Sequence, residues 1–142
     1  MPSVVLVLLQ FAALIGVVLP WGAAAFSPWG FAPLALATGV GAWTLAHNRL
    51  GNFSVLPEPK AGARLVVTGP YAYVRHPMYL AVLLFGLGFL VGWRGGAHAA
   101  AFVLLGAVLH VKSRREEMLL AQRFPEYADY ARRTRRLVPF VL

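Results

Sequence analysis

The stretch Met78-Tyr79-Leu80-Ala81-Val82-Leu83-Leu84-Phe85-Gly86-Leu87-Gly88-Phe89-Leu90-Val91-Gly92-Trp93 decides the fold, together with the apolar run that begins near Ala97 and passes Val111. Neither run carries an Asp or Glu, and only Arg94-Gly95-Gly96 separates them, which reads as a tight hairpin of two apolar helices. Working outward, two more such runs precede them. One spans Ser3 to Leu19 and stops at Pro20; the other spans Phe31 to His47, after the breaker-rich Ser27-Pro28-Trp29-Gly30. At 1.5 Å per residue these runs sit near the lower length limit for crossing a hydrocarbon core of roughly 30 Å. Composition agrees: 59% of the 142 residues are hydrophobic and 13% charged, too little polar material to coat a water-soluble globule. The expectation is one all-α domain, residues 1–142. It is an integral membrane bundle of about four transmembrane helices, near 3–19, 31–47, 78–93 and 97–123. Gly88 and Gly92 have the spacing of close helix packing.

The cations set an expected orientation. Arg49, Lys60, Arg64 and Arg75 lie between the second and third runs, and eight more, from Lys112 to Arg136, follow the start of the fourth; only Arg94 lies on the opposite side. This pattern places both termini in the cytoplasm, and it accounts for the net charge of +8 without nucleic acid. All five acids (Glu58, Glu116, Glu117, Glu126 and Asp129) fall on the same side. The first run has no Lys or Arg ahead of it, so it reads as a retained helix and not a secretory signal. Cysteine is absent, which excludes disulfides, thiolate metal sites and a cysteine nucleophile.

Two polar clusters stand at that charged side. Gly69-Pro70-Tyr71-Ala72-Tyr73-Val74-Arg75-His76-Pro77-Met78-Tyr79 brings a cation, an imidazole and three phenols to the mouth of the third helix. Pro77 suits a first helical turn, whose backbone donors can hold an anion. Interfacial anchoring would also gather Tyr and Arg here, but it does not explain His76. The second cluster is Arg115-Glu116-Glu117, with Lys112 one turn before Glu116 as an expected ion-pair partner. Neighbouring helical residues point about 100° apart, so one acid should face a ligand and the other brace the structure. A solvated helix end laced with ion pairs is the bland alternative. His47 and Asn48 read as helix-end residues, and His110 as a hydrogen-bonding residue inside the bundle. The pattern Met118, Leu119, Ala121, Phe124, Ala128 carries the fourth helix to Arg123, with a new amphipathic segment after Pro125.

The Arg-His-Pro-x-Tyr run, the hydrophobic hairpin, the Glu-Glu pair, Phe124-Pro125-Glu126-Tyr127 with Tyr130, and Arg135-Arg136-Leu137-Val138-Pro139 occur in that order. Together they resemble the isoprenylcysteine carboxyl methyltransferase and phospholipid methyltransferase superfamily over residues 52–139. The resemblance implies an S-adenosyl-L-methionine (S-adenosylmethionine) site built from membrane helices, on elements near 62–79 and 112–136. It assigns cofactor binding to Arg64, Leu65, Val66, Tyr71, His76, Pro77, Met78, Tyr79, Glu116 and Glu117. Lys112 falls where the isoprenylcysteine enzymes carry an Arg that handles the substrate carboxylate. Aromatic faces and a carboxylate suit a sulfonium cation, and alignment does much of the work in methyl transfer, so no residue is assigned as catalytic acid or base. The implied acceptor is lipophilic and enters among membrane lipids. Carboxyl O-methylation is the first expectation, with phospholipid amine N-methylation or thiol S-methylation behind it. A four-helix transporter is the rival from another class, opposed by the absence of acids from the apolar runs.

Overall fold

The computed structural model describes residues 2–22, 25–48, 52, 54–58 and 61–138. The cations Arg49 and Lys60, and Pro139 of the C-terminal motif, lie outside the described residues. Five α-helices follow in order: α1 Ser3–Val18, α2 Phe31–His47, α3 Pro77–Trp93, α4 Gly96–Arg123 and α5 Tyr127–Arg133. No strand occurs among the described residues: Leu65-Val66-Val67-Thr68, whose β-branched content suits a short extended piece, is irregular chain. A single parallel bridge joins Val74 to Arg135.

Punctuation explains the boundaries. Pro77 opens α3, and Arg94 closes it in the left-handed conformation at φ 55°. Gly69 starts the short turn Gly69–Ala72 at φ +60°, where a Cβ would also run into the His47 ring, so this position demands glycine.

The first four helices alternate in direction. α2 packs along α3 and α1 along α4, and α3 touches both α1 and α4. The turn ends meet at one pole. There the Ser27 N–H donates to the Gly92 carbonyl (2.9 Å), Trp93 Nε1 to the Val18 carbonyl (3.1 Å), and a His98 ring nitrogen sits 2.8 Å from the Leu19 carbonyl. Glycines make the α3 seams narrow: a Cβ at Gly88 would strike Leu34, and one at Gly92 the Phe26 ring. Close packing is thus the role of the Gly88–Gly92 spacing.

Polarity in the bundle is inverted relative to a water-soluble protein. Val4, Leu8, Phe11 and Ile15 form an exposed stripe on α1, and Leu36, Trp43, Leu45, Val103 and Val111 extend the apolar exterior. Gln10, Thr44, Asn48, Lys112 and Ser113 are buried inside. By length and composition α4 can cross a bilayer, its 28 residues reaching roughly 42 Å; α1 and α3 are apolar but shorter.

Candidate functional site

At the pole opposite the turns, the end of α2, the 52–79 connection, the start of α3, the polar end of α4 and α5 enclose a cleft of about 850 Å³ including its mouth. Its enclosed part is small, about 130 Å³, below the roughly 300–1,000 Å³ usual for small-molecule sites, because much of the space is open to solvent. Arg64, Leu65, Val66, Tyr71, His76, Pro77, Met78, Tyr79 and Glu116 all border it. Two of the sequence candidates do not: Glu117 lies behind the wall, and Lys112 is buried towards α1.

The wall is built on the start of α3. The His76 ring stacks offset on Tyr79, centroids 5.2 Å apart and planes 7° from parallel. The Tyr79 hydroxyl donates to Glu116 Oε2 (2.9 Å), and His76 Nδ1 stands 3.6 Å from the same oxygen. Glu116 is therefore aimed at the cleft by two neighbours. No side chain caps the start of α3.

Glu117 does the bracing. Arg75 Nε donates to its Oε1 (2.7 Å), while Arg136 donates to Oε2 through Nε (3.0 Å) and Nη2 (2.8 Å). Arg75 Nη1 also reaches the carbonyls of Ala131 (2.9 Å) and Thr134 (2.5 Å). The backbone adds its own seam: the Arg75 and His76 N–H groups donate to the carbonyls of Arg135 and Arg136, and Arg135 N–H to that of Tyr73. One carboxylate thus fastens the C-terminal segment over the mouth of α3.

The opposite wall rests on amides. Asn48 Nδ2 donates to the Tyr71 hydroxyl (2.8 Å), and Asn52 holds the Arg64 backbone from both sides, donating to its carbonyl and accepting from its N–H. Burial pushes the Tyr71 phenol up to about 12, so it stays protonated. The Tyr130 hydroxyl donates to the Tyr71 carbonyl (2.8 Å). The Tyr127 hydroxyl is buried at the cleft without a hydrogen-bond partner.

Several sequence readings change here. The expected Lys112–Glu116 pair gives way to other partners: Lys112 Nζ donates to Gln10 Oε1 (2.5 Å) and to the Val55 carbonyl (3.0 Å). Asn48 is a cleft residue as well as a helix end, whereas His47 turns away to the Trp43 carbonyl and the Gly69 backbone. His110 is not among the cleft residues. Sequence reasoning missed Asn52 and Glu58; single polar residues in an irregular loop carry no periodic or spacing signal. Phe124, Tyr127 and Tyr130, named above only as part of the C-terminal pattern and motif, all border the cleft.

A model of the phospholipid methyltransferase family matches residues 28–127. The chain belongs to that family. The match covers α2, the long connection, α3 and α4, and leaves α1 and all but the first residue of α5 outside. The family member is also similar to two curated proteins. It is 41% identical over 76 residues to the cobalt-zinc-cadmium resistance protein CzcN of Cupriavidus metallidurans, covering 53% of this chain and 35% of that protein. It is 39% identical over 83 residues to the nickel-cobalt-cadmium resistance protein NccN of Alcaligenes xylosoxydans xylosoxydans, covering 56% and 38%. The matches thus span little more than a third of those relatives.

Proposed function

We propose that this family member is an integral membrane methyltransferase that binds S-adenosylmethionine in the cleft and methylates an acceptor with an apolar body. The observation that carries the reading is the lining. Stacked His76 and Tyr79, the further rings of Tyr71, Tyr127 and Tyr130, and the oriented Glu116 carboxylate surround one space. Such a set suits a cationic, partly aromatic ligand. The unpartnered Tyr127 hydroxyl supplies one more polar contact of the kind a buried site keeps for its ligand. When bound, the cofactor supplies a methyl group on a cationic sulfur. The residues then bind and orient: Glu116 and the aromatic faces hold the cation, Arg64 to Val66 line the far wall, and the α5 tyrosines exclude water. The exposed apolar faces of α1, α2 and α4 fit four bilayer-spanning helices, with the cleft and both termini on the cytoplasmic side.

The acceptor chemistry is proposed at a coarser level. A carboxylate acceptor was favoured by Lys112, whose ammonium is buried and bonded to Gln10 and Val55. A phospholipid amine is favoured by the family match and by the Glu116 and Glu58 side chains along the cleft. Calorimetric titration of the detergent-purified protein with S-adenosylmethionine and its demethylated product tests the cofactor. Binding by wild type and its loss in His76→Ala are expected, and absence of binding by wild type would overturn the reading. Methyl transfer from labelled cofactor to prenylcysteine, phosphatidylethanolamine, fatty acid and thiol acceptors then identifies the class.

A further inference from the structure

Lys112 is 1% exposed, and the cleft wall described above does not use it. Its ammonium has three protons to place. One goes to Gln10 Oε1 on α1 and one to the Val55 carbonyl, while the group sits 5.3 Å from the centroid of the Tyr79 ring. Val55 belongs to the strap 54–58, three of whose residues, Ser54, Leu56 and Glu58, line the cleft. Three residues further on, the same strap is fastened again: Glu58 Oε1 accepts from Ser3 Oγ, also on α1, and lies 3.4 Å from Arg115 of α4. Both attachments join the strap to α1 and α4, and α1 lies outside the family match.

We propose that Gln10 and Lys112 form a latch that holds the strap 54–58 against the cleft, so that α1 is a working part of the binding site. The strap has no regular structure of its own. Its backbone therefore takes its position from the groups that bond it, and the Val55 carbonyl has a buried ammonium as donor. Gln10 fixes that ammonium by accepting from it; with Gln10 apolar, Lys112 loses the partner that aims it. In this arrangement Lys112 is a positioning residue behind Tyr79 and lies outside the cleft lining.

The absence of native cysteine makes the strap directly measurable. Ser54→Cys places one thiol on it, and the rate of maleimide labelling reads how firmly the strap is held, with no cofactor present. Expected are a several-fold faster rate in Gln10→Leu and in the Gln10→Leu/Lys112→Met double variant, and a wild-type rate in Lys112→Arg. The double variant guards against misfolding, because replacing both hydrogen-bonding partners by apolar groups of similar shape is close to neutral for stability. A thiol at Ala81, buried in the α2–α3 seam, reports general loosening and should label no faster. Unchanged labelling at Ser54→Cys, or equal acceleration at both positions, would overturn the latch. A second readout rests on the cofactor reading: the Gln10→Leu/Lys112→Met double variant should weaken binding of the demethylated cofactor about tenfold while leaving the thermal midpoint near wild type. Failure of wild type to bind would count against the cofactor alone, since the labelling rates decide the latch independently.

Discussion

Glu116 and Glu117 are chemically identical neighbours that meet opposite surroundings. Glu116 borders the cleft, held by a phenol and near an imidazole; Glu117 is enclosed by two guanidinium groups. Glu116→Ala should therefore act on binding. The loss of a charge-assisted contact is worth about 1.5–3 kcal/mol, or roughly ten- to a hundredfold in S-adenosylmethionine affinity, at nearly unchanged thermal stability. Glu117→Ala should act on stability, because it leaves the largely buried Arg75 without its anion, at a cost of roughly 3 kcal/mol. Titration calorimetry and thermal unfolding on both variants check the pair, and the opposite assignment of effects would mean that the two acids had been exchanged. Tyr79→Phe should weaken binding less than His76→Ala. It keeps the stacked ring and removes only the hydroxyl that orients Glu116.

At the level of elements, the helices depend on where glycine meets a neighbour. A Cβ at Gly92 would overlap the Phe26 ring, whereas one at Gly39, in the middle of α2, would meet nothing. Gly92→Ala should then destabilise the bundle by about 1–3 kcal/mol through overpacking. Gly39→Ala should be neutral or stabilising by up to about 1 kcal/mol, from helix propensity. Thermal unfolding in detergent compares them directly, and equal effects would show that the α3 seam is looser than its contacts imply. The two glycines look alike in sequence, each inside an apolar run, and only the approach of Phe26 separates them. The short α5 depends on long-range contacts instead: its buried tyrosines and the Arg75 bond to the Ala131 carbonyl fix seven residues that would be marginal as an isolated helix.

For the whole molecule, the consequence to test is orientation. If the cleft faces the cytoplasm, as proposed, single cysteines at Thr68 and Ala128 should react with an impermeant maleimide only when the cytoplasmic face is open to it. A cysteine at Gly22, at the turn pole, should react from the other face. The reverse pattern would invert the bundle, and labelling of all three from one side would argue against spanning helices.

Local sequence effects set the helices and the pole at which the polar residues gather. Apolar runs end where Pro20, Asn48 and the Arg94-Gly95 turn interrupt them, and these are local effects that neighbouring residues settle. Local patterning also marked the aromatic and acidic candidates: the Arg75–Tyr79 run leads into α3, and the Glu116-Glu117 pair lies in the polar last turns of α4. Only the tertiary structure decided which partner each polar group takes. Lys112 has Glu116 one turn away, yet it bonds Gln10, 102 residues distant in the chain, and the Val55 carbonyl. Arg75 finds Glu117 across 42 residues. A buried charge is satisfied by whatever acceptor the packing brings within about 3 Å, and spacing along the chain does not encode that distance.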